Sequence, residues 1–161
     1  MTATRAAQIQ TLDETRPNLV AIVGALSNEQ MDYRPGAEEW SIREILAHLV
    51  DDEIYVMRTR LERIIKEEVS DLAPHDERYW YANCNKTRDA RSELLDDFDL
   101  QRCASLGILY MLRDSDWART GLQLEYGRFS AEEWIGHWVE HDRVHLRQIE
   151  NNLKAHAATQ N

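Results

Sequence analysis

The 161-residue sequence predicts an all-α fold, a four-helix bundle, and three observations predict it. Only six glycines and three prolines punctuate the chain. Apolar residues recur at the three- and four-residue spacing of amphipathic helices, while β-branched and aromatic residues never alternate long enough to suggest a sheet. Ser-x-x-Gln or Ser-x-x-Glu capping boxes open three of the helical segments. Four long helices joined by turns and one long loop make an antiparallel bundle without a sheet the economical architecture.

The first helix is expected from about Ala3 to Leu26, with Ile9, Leu12, Leu19, Ile22, Val23 and Leu26 on its apolar face. Pro17 lies within it, removing a backbone donor and crowding the preceding turn, so a kink or interruption is expected there. Ser27 with Gln30 caps a short turn that Pro35-Gly36 stops. Ser41 with Glu44 opens the second long helix, carrying Ile42, Ile45, Leu46, Leu49, Val56 and Ile64 and expected to reach about Glu68. Ser70 to Ala82 contains Pro74, loses the helical period and reads as the longest loop. Ala90, Leu94, Phe98, Ile108 and Leu112 mark the third helix, and Asp114 to Ser130 reads as a connection. Ser130 with Glu133 opens the last helix, which runs through Trp134, Trp138, Ile149 and Leu153 to a polar tail, 155–161, expected to fray.

The length fits one domain, residues 1–161, able to bury a core without disulfides. Hydrophobic residues at 43% and charged residues at 30% fit a globular protein with a well-solvated surface. No apolar run approaches the ~20 residues needed to span a bilayer, and the first ten residues lack the apolar stretch of a secretory signal. A cytoplasmic protein is expected, with Cys84 and Cys103 as reduced thiols. The net charge of −10, from 29 acidic and 19 basic residues, argues against nucleic acid and anionic membranes as partners. Arg58, Arg60, Arg63 and Lys66 do not offset this, because Glu53, Glu62, Glu67 and Glu68 answer them.

Residues four apart share a helix face, so His137, His141 and His145 form one column on the last helix. Taken at about 100° per residue, His141 and His145 fall near the centre of the arc holding Trp134, Trp138 and Ile149, and His137 falls towards its edge. Two histidines at this spacing can aim ring nitrogens at one ion, or hydrogen-bond Gln148, a tyrosine or water. On the second helix His48 is the obvious third ligand, yet it lies at the flank of the apolar stripe and Glu53 near its centre, which makes Glu53 a rival. Asp52, Glu53 and Asp142 read as partners for ligand N–H groups or as acid–base groups, and otherwise as ordinary surface acids. Trp40, Tyr126, Trp134 and Trp138 could line a pocket, although aromatic residues at helical spacing are more often core.

Trp40-Ser41 leading into Ile45-Leu46-Ala47-His48-Leu49, then Gly127, Ser130 and His141-Asp142-Arg143-Val144-His145-Leu146 with Gln148-Ile149, resembles the DinB-like superfamily of metal-binding four-helix bundles. The resemblance covers most of the chain and implies a metal triad of His48, His141 and His145, with His137 an extra histidine outside it. It further implies one divalent transition metal, nickel or zinc, in a homodimer. Relatives with assigned activities include thiol-dependent isomerases and transferases using mycothiol, bacillithiol or glutathione, so a low-molecular-weight thiol is an expected partner of a small-molecule substrate. Three neutral imidazoles leave a coordination position open, the arrangement of a catalytic site. Thiol-dependent transfer is placed ahead of metal-dependent hydrolysis, with a non-catalytic metal- or ligand-binding bundle as the competing class.

Overall fold

Local capping chemistry sets most helix starts. In the computed structural model, which describes residues 2–67, 71–84, 90–123 and 127–160 apart from the side chains of 83 and 84, Thr2 accepts the Arg5 amide and opens α1, Ala3–Val23. Pro17 does not interrupt α1; it lies on the exposed face, where water can satisfy the carbonyl it leaves without a donor. Ser27 and Gln30 form a reciprocal capping box at α2, Asn28–Asp32, as do Ser41 and Glu44 at α3, Ile42–Asp52. A π-helical segment, Glu53–Arg58, follows, and the helix resumes as α4, Thr59–Lys66. The Thr59 hydroxyl donates to the Ile54 carbonyl at 2.9 Å, and the Trp134 indole N–H donates to the Met57 carbonyl at 3.0 Å. Side chains thus occupy acceptors within the widened turn. The expected end at Glu68 falls outside the described residues.

The remaining elements are β1 (Asp71–Leu72), α5 (Glu77–Cys84), α6 (Arg91–Met111), α7 (Asp114–Trp117), β2 (Thr120–Gln123), β3 (Gly127–Ser130) and α8 (Ala131–Thr159). Two stretches expected to be plain connections therefore carry structure. The expected absence of a sheet is corrected: β1 pairs with β2 in parallel and β2 with β3 antiparallel, joining both connections in one small sheet. Strands of two to four residues are too short for alternation to register in a sequence. Gly127 opens β3 at φ 77°, a conformation that favours glycine. Within the tail expected to fray, α8 continues to Thr159.

The bundle is not simply antiparallel. Arg5 bonds Glu132 and Thr15 bonds Asp142, so α1 and α8 run in the same direction. Asn152 bonds the Trp40 carbonyl and Trp134 the Met57 carbonyl, so α3 and α4 run opposite to α8. Leu94 and Phe98 cluster with α3, and Leu106 and Leu109 with α4, so α6 runs alongside them. The order is up-down-down-up, with α1 and α3 each packed against both α6 and α8. Two consecutive helices pointing the same way need a connection that travels back along the bundle, and the segment containing β1 and α5 supplies it.

Two apolar clusters fill the bundle, one around Ile9, Leu12, Leu61, Leu109 and Trp138, the other around Leu19, Leu46, Phe98 and Ile149. Between them lies a layer of polar residues, one or more from each wall: Thr15, Glu53, Arg102 and Asp142, all at most 2% exposed. Arg102 is its centre. It donates to Asp142 Oδ2 at 2.7 Å, to Glu53 Oε2 at 2.9 Å and to the Leu12 carbonyl at 2.7 Å, while Thr15 donates to Asp142 Oδ2 at 2.7 Å. No helix among the described residues is long and apolar enough to cross a membrane. Cys103 is a free, exposed thiol, and the Cys84 side chain lies outside the described residues.

Candidate metal centre

The i, i+4 spacing on α8 sets His141 and His145 side by side, with ring centroids 4.5 Å apart, and α3 brings His48 against both. His48 Nε2 lies 3.2 Å from His141 Nε2 and 3.1 Å from His145 Nε2. One ring nitrogen offers either a proton or a lone pair, so no tautomer of His48 satisfies both neighbours well. A cation satisfies all three, and donors around a tetrahedral zinc with Zn–N of about 2.0–2.1 Å sit roughly 3.3 Å apart. The three residues therefore fit one transition-metal ion.

Each ring turns its other nitrogen away from the centre. His145 Nδ1 pairs with Gln148 Oε1 at 3.0 Å, His48 Nδ1 lies 3.5 Å from Asp52 Oδ1, and His141 Nδ1 lies 3.7 Å from Asp142 Oδ1. The Gln148 hydrogen bond selects the tautomer of His145 that leaves Nε2 free to ligate, and the carboxylates beside the other two rings favour a proton on Nδ1 there as well. The Trp40 ring packs edge-on against His48, closing that side.

Asp52 sits deeper than an ordinary surface acid. It is 3% exposed, with Oδ2 3.3 Å from His141 Nε2 and Oδ1 3.3 Å from His75 Nε2. Burial would raise its pKa, but His141 and His75 hold it below the usual carboxylate range. Burial pushes His48 down to about 3, helped by the neighbouring His145 and His141 rings and opposed by Asp52. Burial and then His141 push His145 down to about 4. Burial also opposes charge on His141, yet the carboxylates of Asp142 and Asp52 outweigh it and raise that ring to about 9.

Glu53 does not join the triad. Its Oε2 accepts from Arg102 and, at 3.2 Å, from the Trp138 indole, so the rival ligand is committed to the polar layer. The helical wheel placed His48 on a flank because it assumes one buried face, whereas α3 is covered by α2, α5, α6 and α8 and buries almost every residue from Glu44 to Glu53. Asp142, another candidate surface acid, is 1% exposed and belongs to the same layer. Trp134 and Trp138 are core, and Tyr126 falls outside the described residues. His137 is exposed and stacks on Trp134 with ring centroids 5.1 Å apart, away from the triad. His75 is the residue that sequence reasoning missed, because a lone histidine in a connection without periodicity gives no signal of where that connection falls.

The chain is similar to known proteins in family and in fold. The pattern of the DinB superfamily matches residues 11–149. The chain is 30% identical over 133 residues to a protein of Oceanobacillus iheyensis named "Putative metal-dependent hydrolase OB0782", covering 80% of this chain and 74% of that one. It is 25% identical over 135 residues to the Bacillus subtilis protein YuaE, covering 77% of this chain and 83% of that one. Among solved structures, YfiT from Bacillus subtilis superposes with a TM-score of 0.87 at 20% identity, over 98% of this chain and 90% of that one. YfiT is described as "a probable metal-dependent hydrolase with an unusual four-helix bundle topology".

Proposed function

The chain belongs to the DinB superfamily, and from that footing we propose that it is a metal-dependent hydrolase acting on a small molecule, with one divalent ion, zinc or nickel, held by His48, His141 and His145. The observation that carries this reading is the convergence of three Nε2 atoms, those of His141 and His145 within hydrogen-bond distance of that of His48, beside the buried carboxylate of Asp52. A bound ion supplies Lewis acidity and lowers the pKa of water held at the open position. The protein orients His145 through Gln148, and Asp52 Oδ2, at the edge of the donor ring, is placed to accept a proton from the attacking water. The names of OB0782 and YfiT support the same chemistry.

Thiol-dependent transfer is the competing reaction, and the mouth of the site favours hydrolysis over it. A cleft of about 250 Å³ beside His145 is lined by Glu38, Glu39 and Glu77 against the single cation Arg78, with Trp40 and Gln148. Anionic thiols such as glutathione are repelled by such a rim, and neutral or cationic substrates are not. The test is a screen of zinc- and nickel-loaded protein against neutral and cationic esters and amides, in parallel with thiol and electrophile pairs. Hydrolysis abolished by a chelator and reduced about 100-fold or more in Asp52→Asn at unchanged metal content is expected. Turnover that requires a thiol, or hydrolysis indifferent to chelation, rejects the reading.

We also propose that the chain is a homodimer. On α6 the exposed Leu100, Tyr110 and Met111, at 66%, 58% and 76% exposure, flank the exposed small residues Cys103, Ala104 and Gly107. A face of this kind supports close helix contact between copies. Sedimentation should give the dimer mass at micromolar concentration, and Met111→Glu should shift it to monomer; a wild-type monomer excludes the assignment.

A further inference from the structure

The two oxygens of Asp52 have different neighbours. Oδ1 makes an ion pair with His75 Nε2 at 3.3 Å and lies 3.5 Å from His48 Nδ1, while Oδ2 lies 3.3 Å from His141 Nε2. That last distance nearly equals the spacing of ring nitrogens within the triad, 3.2 and 3.1 Å. A small rotation of the carboxylate would therefore turn Oδ2 into a fourth donor to an ion held there, and a carboxylate bound in that way is no longer free to accept a proton from water. The site needs a group that fixes the carboxylate. His48 is poorly suited, because its ring is committed to the triad.

His75 is held in place for this task by the chain around it. It lies in the connection between β1 and α5, where Arg60 donates to the Ala73 carbonyl at 2.7 Å and Asp76 caps α5 by accepting the Tyr79 amide at 2.9 Å. Pro74, between these two anchors, restricts the backbone further. The His75 ring lies 5.7 Å from the Trp80 ring, and Trp80 lies 4.7 Å from Tyr55 of the π-helical segment that directly follows Asp52. The connection is thus docked on the same stretch of helix that carries the carboxylate. We infer that His75 is a positioning residue: its contact with Oδ1 keeps Asp52 turned so that Oδ2 stays a proton acceptor beside the triad and out of the ligand set. This rests on the reading of the triad as a metal site. The segment that returns the chain along the bundle therefore also completes the site.

The test loads metal-stripped protein with Co²⁺ and reads its visible absorption, whose bands report the ligand set. Asp52→Asn alone should leave the wild-type bands in place, because the carboxylate is not a ligand. In His75→Ala the bands should shift as the released carboxylate joins the ion, and the same change made in the Asp52→Asn background should shift nothing. His75→Gln keeps a donor near the place of Nε2 and should retain the wild-type bands. Hydrolysis of the neutral and cationic esters and amides of the screen should fall about 10-fold or more in His75→Ala and return to within about threefold in His75→Gln. Bands unchanged in His75→Ala, a shift that persists without Asp52, wild-type bands that already respond to Asp52→Asn, or a Gln variant indistinguishable from the Ala variant each overturn the assignment. Failure of the parent reading looks different. Co²⁺ binding that survives His141→Ala rejects the triad, and absence of turnover with the expected band pattern intact rejects the hydrolase while leaving His75 in its role.

Discussion

Replacing Arg102 with Met should destabilise the folded protein by about 3–5 kcal/mol, the cost of leaving buried carboxylates without their counter-charge. Arg102 is 2% exposed and is the cation between Glu53 and Asp142, so its removal strands two negative charges among Trp138, Phe98 and Leu12. The pH dependence should change as well. In the wild type, burial alone would raise Asp142, but Arg102 and His141 hold it down to about 2. A carboxylate whose folded pKa lies below its unfolded value adds stability above pH ~4, lost as pH falls towards 2. In Arg102→Met burial acts on Asp142 with His141 left as the charge that opposes it, so its pKa rises from the wild-type value and the variant's deficit grows as pH rises. Urea unfolding at pH 5 and pH 8 measures this: the defect should be larger at pH 8. A loss below about 1 kcal/mol at both values would show that water reaches the layer and solvates it.

How much of this was legible beforehand follows from the range of each interaction. Ser27, Ser41 and Ser130 cap their helices through partners three residues away, so a sequence displays the whole motif. His141 and His145 share a face for the same local reason, which is why two of the three candidate ligands could be read from spacing. His48 was the obvious candidate on the facing helix, but the wheel left Glu53 as a rival to it, because a wheel cannot represent a helix covered on every side. Glu53 was correctly seen to point inward, but its partner, Arg102, lies 49 residues away on another helix. Asp142 could be read only as a partner group or an ordinary surface acid, and folding alone pairs it with Arg102, 40 residues away. The direction of α6 was hidden because it depends on the path of a connection whose two-residue strand finds its partner some 50 positions later, Asp71 opposite Leu122. The π-helical segment left no mark that periodicity detects.

Metal binding near neutral pH should release about one proton per ion, and affinity should rise about tenfold per pH unit between roughly pH 4 and pH 9. In the metal-free protein His48 and His145, held at about 3 and about 4, are already neutral at pH 7, whereas His141, raised to about 9, carries a proton. All three must be neutral to ligate, so over that range the competing proton is the one on His141. Above pH 9 the dependence should flatten, and below pH 4 it should steepen as His145 and then His48 also take up protons, releasing the ion. The variants separate ligand from proton. His145→Ala should lose more than the 100-fold that removal of an outer partner costs, and still release a proton at pH 7. His141→Ala should lose as much affinity and release none, because the ring that carried the proton is gone. Asp142→Asn removes the carboxylate beside His141 Nδ1, so it should lower that ring's pKa and bring the upper end of the pH window down towards neutrality. His137→Ala, stacked on Trp134 away from the centre, should change affinity by less than about threefold, within what surface substitutions produce. Calorimetry of zinc binding in two buffers of different ionisation enthalpy counts the protons directly. A count near zero at pH 7 for the wild type would mean that His141 is neutral before the ion arrives, and that Asp142 and Asp52 do not outweigh its burial.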